Sequence, residues 1–227
     1  MNWSFCIISV GVSPYLQSAV DSIRQHGPAD SEIIVIGGDL IPQRIDAWHK
    51  FDESVKSGWI TRKKNLAAKL ASRNNVVMLH DSLGLCEGWG AAMENFVFPY
   101  TCMTRVLNKD GRRFRDWCAI GNDAWMKQPI DNQPVPQEIG EGRLLRYDNN
   151  AYGRWQYSSG AYMIAKRFVW LELPFDEERV WAGGEDVEIS RRWYQRYKED
   201  AFKMNPNAAV QFFKQKDNAP WESSPEL

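Results

Sequence analysis

Glu32-Ile33-Ile34-Val35-Ile36-Gly37-Gly38-Asp39 is the stretch on which the fold turns. Its apolar residues run without alternation. That pattern suits a strand covered on both faces, as in a parallel sheet, rather than one with a wet side. Gly-Gly-Asp closes the run as a turn. Two more such runs flank it: Phe5-Cys6-Ile7-Ile8-Ser9-Val10 before, and Asn75-Val76-Val77-Met78-Leu79 after. The first leads into Gly11-Val12-Ser13 and the last into His80-Asp81-Ser82. Helical signals lie between them. One begins at Pro14, a residue favoured in a first helical turn, and reaches about Gln25. Another covers residues 61–71, with Leu66, Ala67, Leu70 and Ala71 on one side.

Strand and helix alternating in this way predict an α/β fold with a mostly parallel sheet and helices on both faces. Ligands of such sheets lie beyond the carboxyl ends of the strands. Val10, Gly11, Asp39, His80 and Asp81 stand at those ends and are the candidate ligand-binding residues. Each has a plainer reading: Gly-Gly-Asp is an ordinary turn, Asp81 a cap, and His80 a strand-end residue.

The second half reads differently. Asn108-Lys109-Asp110-Gly111 forms a hairpin turn between residues 103–107 and 112–115, which makes the sheet mixed. Residues 127–142 are rich in Pro, Gln, Gly and acids, and read as a loop, a candidate cover for a ligand. Residues 143–147 and 157–165 read as strands, and Glu185–Tyr197 as the strongest late helix. No repeat or boundary divides the 227 residues, so one domain is expected, with halves at about 1–100 and 101–215 and a tail at 216–227.

Composition narrows the function. There are 28 Lys and Arg against 29 Asp and Glu, a balance that disfavours a dedicated nucleic-acid binder. No apolar run is long enough to cross a bilayer, and the first residues do not read as a signal peptide; the expectation is a cytoplasmic protein. Cys6, Cys86, Cys102 and Cys118 follow no zinc spacing and read as reduced, mostly buried thiols. Eleven tryptophans are unusual. Their flat faces suit sugar rings, although core packing is the default for each one. Arg191 and Arg192 read as exposed helix charges.

Chemistry concentrates in Trp181-Ala182-Gly183-Gly184-Glu185-Asp186. Two glycines allow a tight backbone turn, and two carboxylates open a helix. Acids favour a first helical turn on electrostatic grounds alone. A carboxylate placed there can also take a proton from an attacking hydroxyl.

Together these stretches resemble the GT-A glycosyltransferases, both the family-two-like inverting enzymes and the galactosyltransferase type with its Trp-Gly-Gly-Glu-Asp segment; here Ala182 is an added residue. Tyr157-Ser158-Ser159-Gly160-Ala161 is similar to their small-residue strand, Ile60-Thr61-Arg62-Lys63-Lys64-Asn65 to their Arg-x-x-Asn helix, and Gly111-Arg112-Arg113-Phe114-Arg115-Asp116-Trp117 to a stretch of some members. The resemblance implies a GT-A, Rossmann-like fold. It also implies transfer of a sugar from a nucleotide-diphosphate sugar to a hydroxyl of a glycan, lipid-linked or protein acceptor, with inversion. Asp186 would be the base and Glu185 would help hold the acceptor. Trp181 and Gly184 would shape the acceptor side, and Arg62 and Asn65 would serve the donor.

The family's Asp-x-Asp, which holds Mn²⁺ or Mg²⁺ against phosphates, is replaced by His80-Asp81-Ser82, leaving Asp81 as the metal-ligand candidate. The family's late His is replaced by a segment containing Lys214 and Lys216. These could neutralise a diphosphate or could form a solvated basic tail. Two competitors remain: a sugar- or nucleotide-binding module without turnover, and a nucleotidyltransferase. The latter would want a basic Gly-rich loop after the first strand, whereas Gly11-Val12-Ser13-Pro14 carries no Lys or Arg.

Overall fold

The computed structural model describes residues 2–121, 134–219 and 221. The continuous apolar runs become β1 (Trp3–Ser9), β2 (Glu32–Gly37) and β4 (Asn75–His80), with β3 (Ala47–His49) beside β2. Short β5 (Leu83–Leu85) follows, then β6 (Thr101–Leu107), β7 (Cys118–Ile120), β8 (Gly142–Leu144), β9 (Tyr162–Lys166) and the long β10 (Phe202–Phe212). The helices are α1 (Leu16–His26), α2 (Ile60–Leu70), α3 (Trp89–Glu94), α4 (Arg167–Glu172) and α5 (Glu185–Tyr197).

Eight strands form one mixed sheet in the order β3-β2-β1-β4-β9-β6-β10-β5. The pairs β2–β3, β1–β2, β1–β4 and β6–β10 are parallel. The pairs β4–β9, β6–β9 and β5–β10 are antiparallel. β5, from the first half of the sequence, lies at the far edge of the second half, so the two halves interleave in a single domain.

Successive residues of a strand point to opposite faces, and here each face has its own core. Phe5, Ile7, Ile33, Val35, Val77 and Leu79 pack under Val20, Ile23 and Trp89 of α1 and α3. Cys6, Ile8, Ile34, Ile36, Val76 and Met78 pack under Ala67, Val169 and Trp193 of α2, α4 and α5. This double covering explains why the three runs lack alternation. Trp3, Trp89, Trp117, Trp170 and Trp193 are fully buried and fill the core. None of the four cysteines forms a disulfide; Cys6, Cys102 and Cys118 are buried and Cys86 is half-buried.

Several expectations change. The turn at residues 108–111 forms, with Asn108 N–H on Arg112 O (2.7 Å), but the returning arm makes only a bridge, Leu107 to Arg113. Arg191 is buried; it donates to Ile120 O (2.9 Å) and lies over the Trp155 ring. Arg192 pairs with Glu188 at 2.6 Å. Of the expected loop, residues 127–133 lie outside the described residues; residues 134–141 carry turns and no strand. The expected tail is tied down where it is described: Asn108 holds the backbone of Lys216, and Trp221 packs against Val187 and its neighbours. No helix among the described residues is long and apolar enough to cross a membrane.

Candidate active site

The carboxyl ends of β1, β2 and β4 open into a groove of two adjoining cavities. One, of about 300 Å³, is lined among others by Val10, His80, Asp81, Trp181, Lys214 and Lys216. The other, of about 770 Å³, is lined by Val10, Gly11, Gly38, Asp39 and residues 50–53. Val10, Glu53 and Lys63 belong to both walls. The expected residues Val10, Gly11, Asp39, His80, Asp81 and Trp181 are thus brought together.

Backbone turns hold these tips. Asp39 N–H donates to Gly11 O at 2.8 Å, joining the ends of β1 and β2. Asp81 Oδ2 accepts the Ser9 hydroxyl at 2.6 Å, joining β4 to β1. Trp181 donates its N–H to Gly58 O at 2.9 Å while its side chain stays in solvent, with 67% of the residue exposed. An exposed indole beside a cavity is available to a ligand in a way the buried tryptophans are not.

Two lysines of α2 were not foreseen. Lys63 is buried and its Nζ donates to Ser9 O (2.7 Å) and pairs with Glu53 (2.8 Å). Lys64 is fully buried and its Nζ sits 3.5 Å from Glu185 Oε1. The sequence signal was present: Ile60, Lys63, Lys64 and Ala67 share one helical face by their i, i+3, i+4, i+7 spacing. The expected Arg62 and Asn65 lie on another face. Arg62 covers the Trp59 ring and Asn65 exchanges hydrogen bonds with the backbone of Phe175, so neither lines the groove.

The acid pair heads α5. Gly184 caps this helix in a left-handed conformation (φ 69°), which glycine adopts without strain. Glu185 is buried. Its carboxyl is held above the ordinary range, first by burial and also by neighbouring Asp186, with Lys64 opposing. Asp186 is half-buried and accepts the Gly160 N–H on Oδ2 at 2.8 Å. Any Cβ at position 160 would fall 3.0 Å from Glu185 Oε1 and 3.1 Å from Asp186 Oδ2. The small-residue stretch therefore makes room for two carboxylates.

Neither acid lines the cavities, yet the chain ties them to the strand tips. Ala161, next to Gly160, accepts the His80 N–H at 2.9 Å. The anchor of Asp186 and the anchor of β4 are thus consecutive residues. Lys64 bridges from the other side, between Glu185 and the surroundings of His80.

The His80 ring is kept neutral. Burial lowers its pKa to about 3, helped by the charges of Lys64, Lys216, Lys214 and Lys63. Its Nε2 is buried without a hydrogen-bond partner. Asp81 and His80 are the candidate metal donors that β4 brings to the cavity. Among the described residues no three His, Cys, Asp or Glu side chains gather to hold a metal ion. Four lysines raise the positive potential around His80, which favours an anion there. Asp81, the expected metal ligand, stands at the cavity wall with its Oδ2 engaged by the Ser9 hydroxyl.

Solved structures that align with this chain include those of two glycosyltransferases, GalNAc-T7 and TarS. The structure of GalNAc-T7 with UDP, GalNAc and Mn²⁺ aligns with a TM-score of 0.62 at 18% identity, over 99% of this chain and 46% of that one. Two structures of S. aureus TarS align at 12% identity over 96% of this chain. Their TM-scores are 0.50 and, for TarS 1–349, 0.51, and 36% and 59% of their own lengths are covered. The chain therefore spans less than two thirds of each of these proteins. No protein-family model matches the sequence, and no curated protein does. What the likeness establishes is the fold, the GT-A fold of glycosyltransferases.

Proposed function

We propose that this chain transfers a sugar from a nucleotide-diphosphate sugar to an acceptor hydroxyl, with inversion. The observation that carries the reading is the Gly160-Ala161 link, which ties Asp186 and the strand tip that ends in His80 and Asp81 to consecutive residues. The donor lies in the groove, its nucleotide along Val10, Gly11 and Asp39 and its diphosphate toward the lysines. The acceptor enters beside Trp181 and Gly184.

The reaction is a single displacement. The acceptor oxygen bonds to the anomeric carbon, and the nucleoside diphosphate leaves from the opposite face with the bonding pair. Asp186 takes the hydroxyl proton. Its two backbone hydrogen bonds, from Gly160 and Val187, fix the carboxylate's direction, and a fixed base contributes more than a mobile one. Glu185, locked against Lys64, holds the head of α5 in place beside the acceptor. The lysines stabilise the negative charge that develops on the leaving group.

A second reading is a nucleotide-sugar-binding module without turnover. It is favoured by the placement of Asp186 behind the cavity wall rather than on it. Incubation with a panel of nucleotide sugars, read by release of nucleoside diphosphate, separates the two. Transfer or slow donor hydrolysis is expected, and Asp186→Asn lowers it by about 10²–10⁴-fold while donor binding is kept. Undiminished turnover in that variant refutes the assigned base, and binding without any turnover supports the module.

A further inference from the structure

The chain leaving β10 does not run into solvent. Phe213 donates its N–H to Ser82 O (2.9 Å) and stacks on Tyr15, and both Ser82 and Tyr15 line the smaller cavity. Three residues on, buried Asn108 grips the backbone of Lys216. Its Oδ1 accepts the Lys216 N–H (2.8 Å), and its Nδ2 donates to Lys216 O (2.7 Å) and to Asn218 Oδ1 (2.7 Å). Lys214 and Lys216 are thereby fastened on both sides at the cavity wall. A solvated basic tail would need no such anchors.

Their charges differ in kind from those of α2. Lys63 and Lys64 are already matched by Glu53 and Glu185. Lys214 and Lys216 have no ion pair with any carboxylate among the described residues. Lys216 is also pushed below the ordinary lysine range by burial and by the like charges of Lys214 and Arg115. Two crowded ammonium groups beside a neutral imidazole form a field that attracts an anion.

We propose that Lys214 and Lys216 are the diphosphate subsite of the groove, and that a nucleoside diphosphate binds there without a divalent cation. This rests on the glycosyltransferase reading for the identity of the anion. The lysines neutralise the leaving group, supplying the two positive charges that a divalent cation would otherwise bring.

Isothermal titration of the full chain with UDP, GDP and inorganic pyrophosphate, first in excess chelator and then with Mn²⁺, tests this. Binding of at least one probe in chelator is expected, with an affinity that Mn²⁺ leaves unchanged. Lys214→Gln/Lys216→Gln is expected to weaken it roughly tenfold or more, since each lost charge-assisted hydrogen bond is worth about a factor of ten. Binding seen only with Mn²⁺ overturns the subsite and leaves the transferase reading standing. Equal affinity in the double variant also overturns the subsite. Failure of every probe to bind in either condition overturns the transferase reading itself.

Discussion

Replacing Lys64 with methionine removes the ammonium that faces Glu185 and leaves the side-chain volume nearly unchanged. Both side chains are almost inaccessible, 0% for Lys64 and 7% for Glu185. Glu185 is already displaced upward by burial and by Asp186, and Lys64 is the influence that opposes this. Breaking a buried pair from one side costs about 3–5 kcal/mol, because the remaining charge has neither water nor partner. The carboxyl can escape by taking a proton, which gives the loss a pH signature. A carboxyl whose folded pKa lies above its unfolded value contributes stability that is full below the unfolded pKa and lost as pH rises through the folded one. Lys64→Met raises the folded value further. The gap between variant and parent is therefore smallest in acid and widens by about 1.4 kcal/mol per pH unit between the two folded pKa values, then levels off. Urea unfolding followed by tryptophan fluorescence at pH 5 and pH 8 reads it. The variant should lose more at pH 8 than at pH 5, and Lys64→Met/Glu185→Leu should recover most of the loss, since an apolar pair can replace a buried ion pair. An equal loss at both pH values, or none at pH 8, refutes the reasoning.

Gly160→Ala should cost about 1–3 kcal/mol by overpacking against the two carboxylates and should also lower turnover; urea unfolding and product assay check the two effects. Trp193→Ala should destabilise by about 3–5 kcal/mol, because its ring packs edge-on against Trp170 in the core under α5; urea midpoints read this. Trp181→Ala should leave stability within about 0.5 kcal/mol, as expected of an exposed residue, and should weaken acceptor saturation in the transfer assay.

The strands β1, β2 and β4 were legible because burial on both faces leaves a run with no polar break. Helix α5 was legible to its ends, with Gly184 before it and a periodic apolar face within it. The elements β3, β5 and β7 have three residues each, too few to show any period. β10 is long, but Asn205-Pro206-Asn207 interrupts it, and the register with β6 shifts at that point. A proline there reads as a break because it cannot donate to the ladder. At the site, strand ends could be read from topology alone, and His80, Asp81 and Asp39 duly meet at one groove. The α2 lysines were hidden by their type. Lysine on a helix is ordinarily solvated, and partners that the helix itself does not reveal, Ser9 O and Glu53 for Lys63 and Glu185 for Lys64, make burial tolerable. Arg62 and Asn65 were expected from the family pattern, and their own helical phase turns them toward residues 175–177 instead.

A crystal structure of this chain with a bound nucleoside diphosphate would test most directly whether the acids of α5 and the tips of the early strands serve one ligand. The account predicts the nucleobase near Asp39, the phosphates between Lys214 and Lys216 beside His80, and the terminal phosphate directed across Gly160 toward Asp186. A diphosphate bound on another surface, or one whose terminal phosphate points away from Asp186, would contradict it.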